Sequence, residues 1–173
     1  MQTLQDRFGG TARFKHTRAA AITTLLAVAV ATTIIATAAA SQKEAAVGTI
    51  AVTERTQVMS YRDGNDVVRE LQVRRTLTGT FSGTEISLVH NVTHPDGSAD
   101  LAVVSSCTCT VEERTGTVTF SERASIDLDG IITVHRRVID ATGSLEGLRG
   151  KLEVEAPFAA PAQPYTGRYS FGD

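Results

Sequence analysis

The amino-acid sequence predicts an all-β protein of about eight strands, folded as a sandwich or a closed barrel. After Ser41, apolar and polar residues alternate with a period of two in almost every segment, which indicates strands with one buried face. Turn signals such as Asp63-Gly64-Asn65 and Pro95-Asp96-Gly97 separate these segments at regular intervals. No sustained helical period occurs in this part of the sequence.

The first predicted element is an N-terminal export segment. Before residue 19 the formal charge is +3, from four basic residues and Asp6, and residues 19–40 form an uncharged run rich in alanine and threonine. A positive segment stays in the cytoplasm while the apolar run behind it enters the bilayer. The run ends in three alanines before a polar stretch, so we predict a signal peptide cleaved between Ala40 and Ser41.

An uncleaved membrane anchor is the alternative for residues 1–40. The apolar run of 22 residues is long enough to span a hydrocarbon core, which needs about 20, although alanine and threonine make it weakly apolar. With either outcome we predict that residues 41–173 form a single exported domain. Contact with a membrane is expected only through residues 19–40, if they are retained.

The charge of residues 41–173 argues against nucleic-acid binding. This part of the chain carries 13 basic and 18 acidic residues, a net charge of −5, whereas phosphate contacts need clustered positive charge. The pairs Arg74-Arg75 and Arg136-Arg137 do not form a cluster, because neighbouring residues of a strand point to opposite faces.

Alternation also predicts which residues face the core. In each predicted strand, one parity is apolar and the other is polar or charged. The core-facing residues predicted in this way are Val67, Leu71, Val73, Leu77, Phe81, Ile86, Leu88, Val118, Phe120, Ile132, Val134, Leu152, Val154, Tyr165, Gly167, Tyr169 and Phe171.

Several glycine-rich segments carry a resemblance to a known family. They are Thr80-Phe81-Ser82-Gly83, Asp96-Gly97-Ser98-Ala99, Arg114-Thr115-Gly116-Thr117-Val118 followed by Ile126-Asp127, residues 143–150 and residues 165–171. With these segments in order, the chain resembles a family of small bacterial proteins of uncharacterised function, grouped with the allene oxide cyclase-like barrels. That fold is shared with plant allene oxide cyclases and is similar in form to dirigent proteins.

The resemblance implies a closed, calycin-type antiparallel barrel of about eight strands, whose interior is filled by side chains or holds one small ligand. One feature departs from the family pattern. This chain has Ser105-Ser106 where the family usually has a glutamate–arginine pair, so a function that depends on that pair is not implied here.

Cys107 and Cys109 are the only cysteines, and on a strand their side chains point to the same face. Their Cα atoms would be about 6.5 Å apart, near the upper limit for a disulfide, so a bulge would be needed to join them. Export places them in an oxidising compartment. The sequence leaves open an intramolecular disulfide, two thiols that are free or paired between molecules, and a redox-active pair.

A buried ion pair between Arg69 and Glu122 is a further hypothesis. Each residue shares its parity with apolar neighbours on its strand, so both would point into the barrel, where a charge needs a partner. The alternative is that both residues lie at a solvated rim.

No catalytic, cofactor-binding or metal-binding site is predicted. His90 and His94 have no evident third ligand, so surface histidines are expected, and no nucleophile elbow, phosphate loop or dinucleotide motif occurs. The leading functional hypothesis is an exported barrel that binds a small apolar ligand or acts at the cell surface. An isomerase or cyclase of the allene oxide cyclase type and a purely structural, filled barrel are the alternatives.

Overall fold

Eight antiparallel strands close into a barrel in which each strand pairs with its neighbours in sequence and the last pairs with the first. The computed structural model describes residues 42–172. The strands are β1 (Glu44–Asp63), β2 (Asp66–Gly79), β3 (Phe81–Thr93), β4 (Ala99–Val111), β5 (Arg114–Ile126), β6 (Ile131–Ala141), β7 (Leu148–Pro157) and β8 (Gln163–Phe171), with a 3-10 turn at Gly143–Leu145. The predicted all-β fold is confirmed, and the closed barrel forms rather than the sandwich.

The predicted export segment lies outside the residues that the structure describes. Residues 1–40, with the predicted signal peptide or anchor helix and the Ala40–Ser41 cleavage site, lie outside the described residues, so these remain predictions. Within residues 42–172, no helix is long and apolar enough to cross a membrane. The same residues contain all eight strands and the apolar clusters inside the barrel.

Two apolar clusters occupy the barrel interior. The larger is centred on four rings, Phe81, Phe120, Tyr165 and Tyr169, here called the aromatic core. Phe81 contacts the other three edge to face, a favourable arrangement, with ring centroids between 5.6 and 6.4 Å apart. The smaller cluster, here called the valine collar, consists of Val73, Val89 and Val103 with the half-buried Leu71 and Leu101.

Strand β3 turns its predicted core face outwards. Ile86 and Leu88 are 42% and 62% exposed, whereas Glu85 and Ser87, which alternate with them, are only 1% and 0% exposed. The prediction for this strand is wrong because alternation identifies the more apolar face. At this part of β3 the residues that face the barrel interior are the polar Glu85 and Ser87, so the apolar Ile86 and Leu88 lie on the outer surface.

Strand β1 is the longest and has an unpaired edge. It pairs with β8 only through residues 44–50, and beyond Ile50 it pairs with β2 alone. Two register shifts, between Val52 and Glu54 and between Gln57 and Met59, interrupt that ladder. Such bulges bend an edge strand and reduce its tendency to pair with another chain.

Tyr165 joins the last strand to the corner between β2 and β3. Its hydroxyl accepts a hydrogen bond from the Phe81 amide at 2.9 Å and donates to the Thr78 carbonyl at 3.2 Å. A Cβ atom at Gly48 of β1 would overlap both the Tyr165 ring and the Thr78 carbonyl oxygen. The close approach of these groups therefore requires glycine at position 48.

The Gly48→Ala variant is expected to be less stable by about 1–3 kcal/mol, because the added methyl group forces Tyr165 or β2 to move. Chemical denaturation measures the change in the free energy of unfolding. The matched control is Gly172→Ala, where the nearest atom to the added Cβ is 3.6 Å away and little change is expected. Equal stability of the two variants would contradict the packing argument.

Candidate functional site

Charged and hydroxyl side chains cluster inside the barrel, against the aromatic core. Six residues on the inner faces of β2 to β6 form what is here called the charge cluster: Arg75, Glu85, Ser87, Ser105, Glu122 and Arg136. Five of them are at most 4% exposed, and the Arg75 side chain is 14% exposed. Charged residues are almost never buried to this extent unless they are paired.

Two arginines and two glutamates connect strands across the lumen. Arg75 Nη1 lies 3.0 Å from Glu122 Oε2 and 3.1 Å from Glu85 Oε1. Arg136 donates from Nη2 to Glu85, and Ser87 Oγ donates to the same carboxylate at 2.9 Å. The Arg75–Glu122 and Arg136–Glu85 pairs each join strands three positions apart in the barrel, so they brace it from the inside.

Glu122 is held in its ionised form. Burial alone would raise its pKa, but the charges of Arg136 and Arg75, with hydrogen bonds from Arg75 and Ser105, hold the pKa below its ordinary value. Burial would likewise lower the pKa of Arg75, yet Glu122 and Glu85 raise it above its ordinary value. Two positive and two negative side chains leave the cluster with no formal net charge.

Arg136 has hydrogen-bond donors that the protein does not use. Its guanidinium lies 3.6 Å from the centroid of the Phe120 ring, and the residue is 2% exposed. The Nη1 atom is buried without a hydrogen-bond partner among the described residues. The Nε atom lies 3.4 Å from Glu122 Oε1 without forming a hydrogen bond. A buried, unsatisfied donor costs about 1–3 kcal/mol, and its presence in a native fold calls for an explanation.

The predicted Arg69–Glu122 pair does not form. Glu122 points into the barrel, but its partners are Arg75 and Arg136. Arg69 is half-buried farther along β2, where its Nη1 donates to Thr93 Oγ1 at 3.1 Å. Parity identifies the face of a strand but not the depth of a residue in the barrel, and the stagger of the strands decides which residues meet across the lumen.

The sequence contained a signal for Arg75 and Arg136, the residues that pair with Glu122 in the structure. Neighbouring residues on a strand face opposite ways, so each Arg-Arg pair sends one arginine inward. Arg75 and Arg136 are those inward members, while Arg74 forms an exposed ion pair with Glu54 at 3.0 Å. Parity did not show that both buried arginines would reach the same two carboxylates.

Cys107 and Cys109 form a disulfide on the inner face of β4. Their Cα atoms are 5.4 Å apart, and the sulfur-bearing side chains are buried beside the aromatic core. Strand β4 pairs with both neighbours without a register shift at these residues, so the predicted bulge is wrong. The strand contracts locally instead, and this contraction brings the two cysteines within bonding range.

His90 and His94 lie on the outer surface, each near a carboxylate. His90 Nδ1 is 2.6 Å from Glu70, and His94 lies 3.2 Å from Asp66 and 3.1 Å from Asp100. The hydrogen bonds with Asp100 and Asp66 raise the pKa of His94. Among residues 42–172, no group of three or more ligand-type side chains could hold a metal ion.

The closed ring of eight antiparallel strands is a barrel of the dirigent and allene oxide cyclase-like type. The chain belongs to the family described as protein of unknown function (DUF3224), which matches residues 45–166. This confirms the resemblance seen in the sequence. No curated protein matches the sequence.

Solved structures of similar fold include one from the same family and one dirigent protein. A DUF3224 protein of unknown function from Shewanella oneidensis MR-1 aligns with a TM-score of 0.65 and 16% identity, over 76% of this chain and 100% of that one. A pterocarpan synthase dirigent protein aligns with a TM-score of 0.52 and 13% identity, over 75% of this chain and 95% of that one. Identities this low relate the folds alone.

The Glu122→Gln variant is expected to lose about 3–5 kcal/mol of stability at neutral pH, because only one carboxylate then faces two buried arginines. Urea denaturation measures this loss. Glu153→Gln, at a side chain that is 72% exposed, is the control and is expected to change little. A Glu122→Gln protein as stable as the control would show that the charge cluster does not brace the barrel.

The same residue makes stability depend on pH. Because the pKa of Glu122 is lowered in the fold, its contribution is complete above its unfolded pKa of about 4.3 and is lost as pH falls through the folded value. The urea midpoint is therefore expected to fall in acid, and to fall less in Glu122→Gln. Parallel acid profiles for the two proteins would contradict this.

Removing the disulfide is expected to cost only about 1.6 kcal/mol, because the chain-entropy model gives that value for a three-residue loop. The Cys107→Ala/Cys109→Ala variant and the wild type with reductant should therefore both fold. Denaturation curves, with thiol alkylation to count free cysteines, test this. Unfolding of the variant at room temperature would show that the bond is needed for the barrel to form.

Proposed function

We propose that this protein is an exported binding protein for a small, mostly apolar molecule that carries a neutral oxygen acceptor. The observation that carries the proposal is Arg136, a fully buried arginine with unused N–H donors. An oxygen atom of a ligand would satisfy the Nη1 donor, and a site that hydrogen-bonds its ligand discriminates strongly against molecules lacking that group.

The charge balance of the cluster defines the polar part of the ligand. Arg75 and Arg136 are already neutralised by Glu85 and Glu122. A carboxylate or phosphate on the ligand would bring an uncompensated charge into the barrel, which is costly. A carbonyl, hydroxyl or ether oxygen accepts a hydrogen bond from Arg136 without that cost.

The valine collar suits the apolar part of the ligand. On β2, the inner face runs from Arg69 through Leu71 and Val73 to Arg75, so apolar side chains separate the half-buried Arg69 from the charge cluster. Leu71 and Leu101 are only half-buried. A ligand that enters here would displace the smaller of the two apolar clusters and leave the aromatic core packed.

Export is part of the proposal. The basic N-terminus followed by the apolar run 19–40 supports it, and so does a disulfide between Cys107 and Cys109, since disulfides persist in oxidising compartments. The net charge of −5 in residues 41–173 supports a ligand other than nucleic acid.

An isomerase or cyclase is the second candidate, favoured by the convergence of ionisable groups in the lumen. The similar dirigent protein is a pterocarpan synthase. The lowered pKa of Glu122 makes this carboxylate a weak general base, because an efficient base has a pKa near the working pH. Such an enzyme would therefore act by restricting the conformations of its substrate. The unused donors of Arg136 count against a purely structural barrel.

Displacement of Nile red, a neutral apolar dye with one carbonyl group, tests the proposal. Decan-2-one is expected to displace the dye at a concentration about 10- to 150-fold lower than decane, because a hydrogen bond to a charged donor is worth about 1.5–3 kcal/mol. Decanoate, with the same chain length, should compete poorly. Absence of dye binding, or equal competition by all three compounds, would overturn the proposal.

Arg136→Lys separates the role of the donors from that of the charge. Lysine keeps the positive charge near Glu85 and Glu122 but has three N–H donors where arginine has five, and the two carboxylates compete for them. The preference for the ketone should therefore fall well below that of the wild type. Arg137→Lys, at the outward-facing neighbour, is the control and should retain it. A preference retained in both variants would show that Arg136 does not contact the ligand.

A further inference from the structure

A groove opens on the outside of the barrel where β6 and β7 diverge. Their pairing stops at Arg137 and Lys151, although β6 continues to Ala141 and β7 begins at Leu148. The groove has a volume of about 860 Å³ and extends across β7 and β8. It lies on the opposite side of the barrel wall from the charge cluster.

Positive side chains line this groove, although residues 41–173 are acidic as a whole. Five of the lining residues are basic, and Glu153 is the single acidic one among those described. The five basic residues, which define what is here called the basic groove, are Lys43, Arg137, Arg149, Lys151 and Arg168. All five are exposed.

Three of these basic residues form a row across three neighbouring strands. Arg137 of β6 pairs in register with Lys151 of β7, which pairs in turn with Arg168 of β8. Like charges at directly opposed positions destabilise a sheet. None of the five basic residues forms an ion pair with another residue of the range 42–172. Among the described residues this row therefore has no charge to neutralise it, whereas an anionic partner would supply one.

We propose that the basic groove binds the surface of a bilayer that contains anionic phospholipid. The position of Lys43 supports this partner, because it follows the apolar run 19–40 by three residues. Three residues span at most about 11 Å. In a chain held in the membrane by that run, Lys43, one of the residues that line the groove, therefore stays within this distance of the end of the run.

Exposed apolar residues beside the groove support the same partner. Ile139, 50% exposed, follows Val138, which lines the groove. Val47, 57% exposed, lies two residues along β1 from Ala45, the register partner of Arg168. Basic residues that attract phosphate, together with apolar side chains that enter the headgroup region, are the features of a peripheral membrane surface.

The accessibility of Lys151 to a membrane-impermeant acetylating reagent tests the proposal. The chain has only three lysines, Lys15, Lys43 and Lys151, so mass spectrometry reports each separately. The full chain is reconstituted in vesicles of phosphatidylcholine alone or of phosphatidylcholine with phosphatidylglycerol. Lys151 should react several-fold more slowly in the anionic vesicles, and high salt should remove the difference, because salt screens exposed charges.

Two matched variants identify the surface involved. In Arg137→Gln/Arg149→Gln/Arg168→Gln the protection of Lys151 should be lost. The control, Arg62→Gln/Arg74→Gln/Arg123→Gln, removes the same number of exposed arginines outside the groove and should keep it. Thermal melting shows whether the variants are folded. The first variant should be at least as stable as the wild type, because it removes like charges from opposed positions.

Three outcomes would overturn the proposal. Lys151 could react equally in both vesicle types, or both variants could lose protection to the same extent. In neutral detergent micelles, inorganic phosphate or a single-stranded oligonucleotide could protect Lys151 as strongly as the anionic vesicles do. That result would make the groove a site for a soluble anion or for nucleic acid. None of these outcomes bears on Nile red binding, which reports on the lumen.

Discussion

The two ion pairs that cross the lumen are the constraint on which the rest of this barrel depends. Arg75 joins β2 to Glu122 of β5, and Arg136 joins β6 to Glu85 of β3. Four charges removed from water are tolerated only while each has its partners. The pairs therefore demand a single register for the five strands that carry the charge cluster, and any slip would leave a buried charge unpaired.

The same requirement explains how the interior is divided. The guanidinium of Arg136 lies against the Phe120 ring, so the charge cluster is continuous with the aromatic core on that side. Elsewhere, the valine collar has fewer and smaller side chains, two of them half-buried. The valine collar is therefore the less tightly packed of the two apolar clusters. Under the proposed function, the ligand enters through this region and reaches the unused donor of Arg136.

Arginine has opposite roles on the two sides of the barrel wall. Arg136 is buried and compensated, whereas its neighbour Arg137 is exposed in a row of uncompensated cations. A strand places consecutive residues on opposite faces, so one Arg-Arg dipeptide supplies both environments. The inner residue contributes to stability and to the proposed ligand site. The outer residue contributes to the proposed contact with lipid.

The sequence by itself determined the all-β class, a strand number of about eight and the splitting of the Arg-Arg pairs, because these follow from local alternation and turn residues. For Glu122 it left two positions open, the barrel interior and a solvated rim. It assigned β3 the wrong face, because Glu85 and Ser87 are buried polar residues that alternation cannot distinguish from exposed ones. Only the tertiary structure decided that Glu122 meets Arg75 rather than Arg69, that Cys107 and Cys109 bond without a bulge, and that Arg137, Lys151 and Arg168 stand in one row. The ion pair and the row of cations depend on strand stagger and closure, which join residues far apart in the chain and leave no local pattern. The disulfide depends instead on a local contraction of β4, which alternation does not reveal.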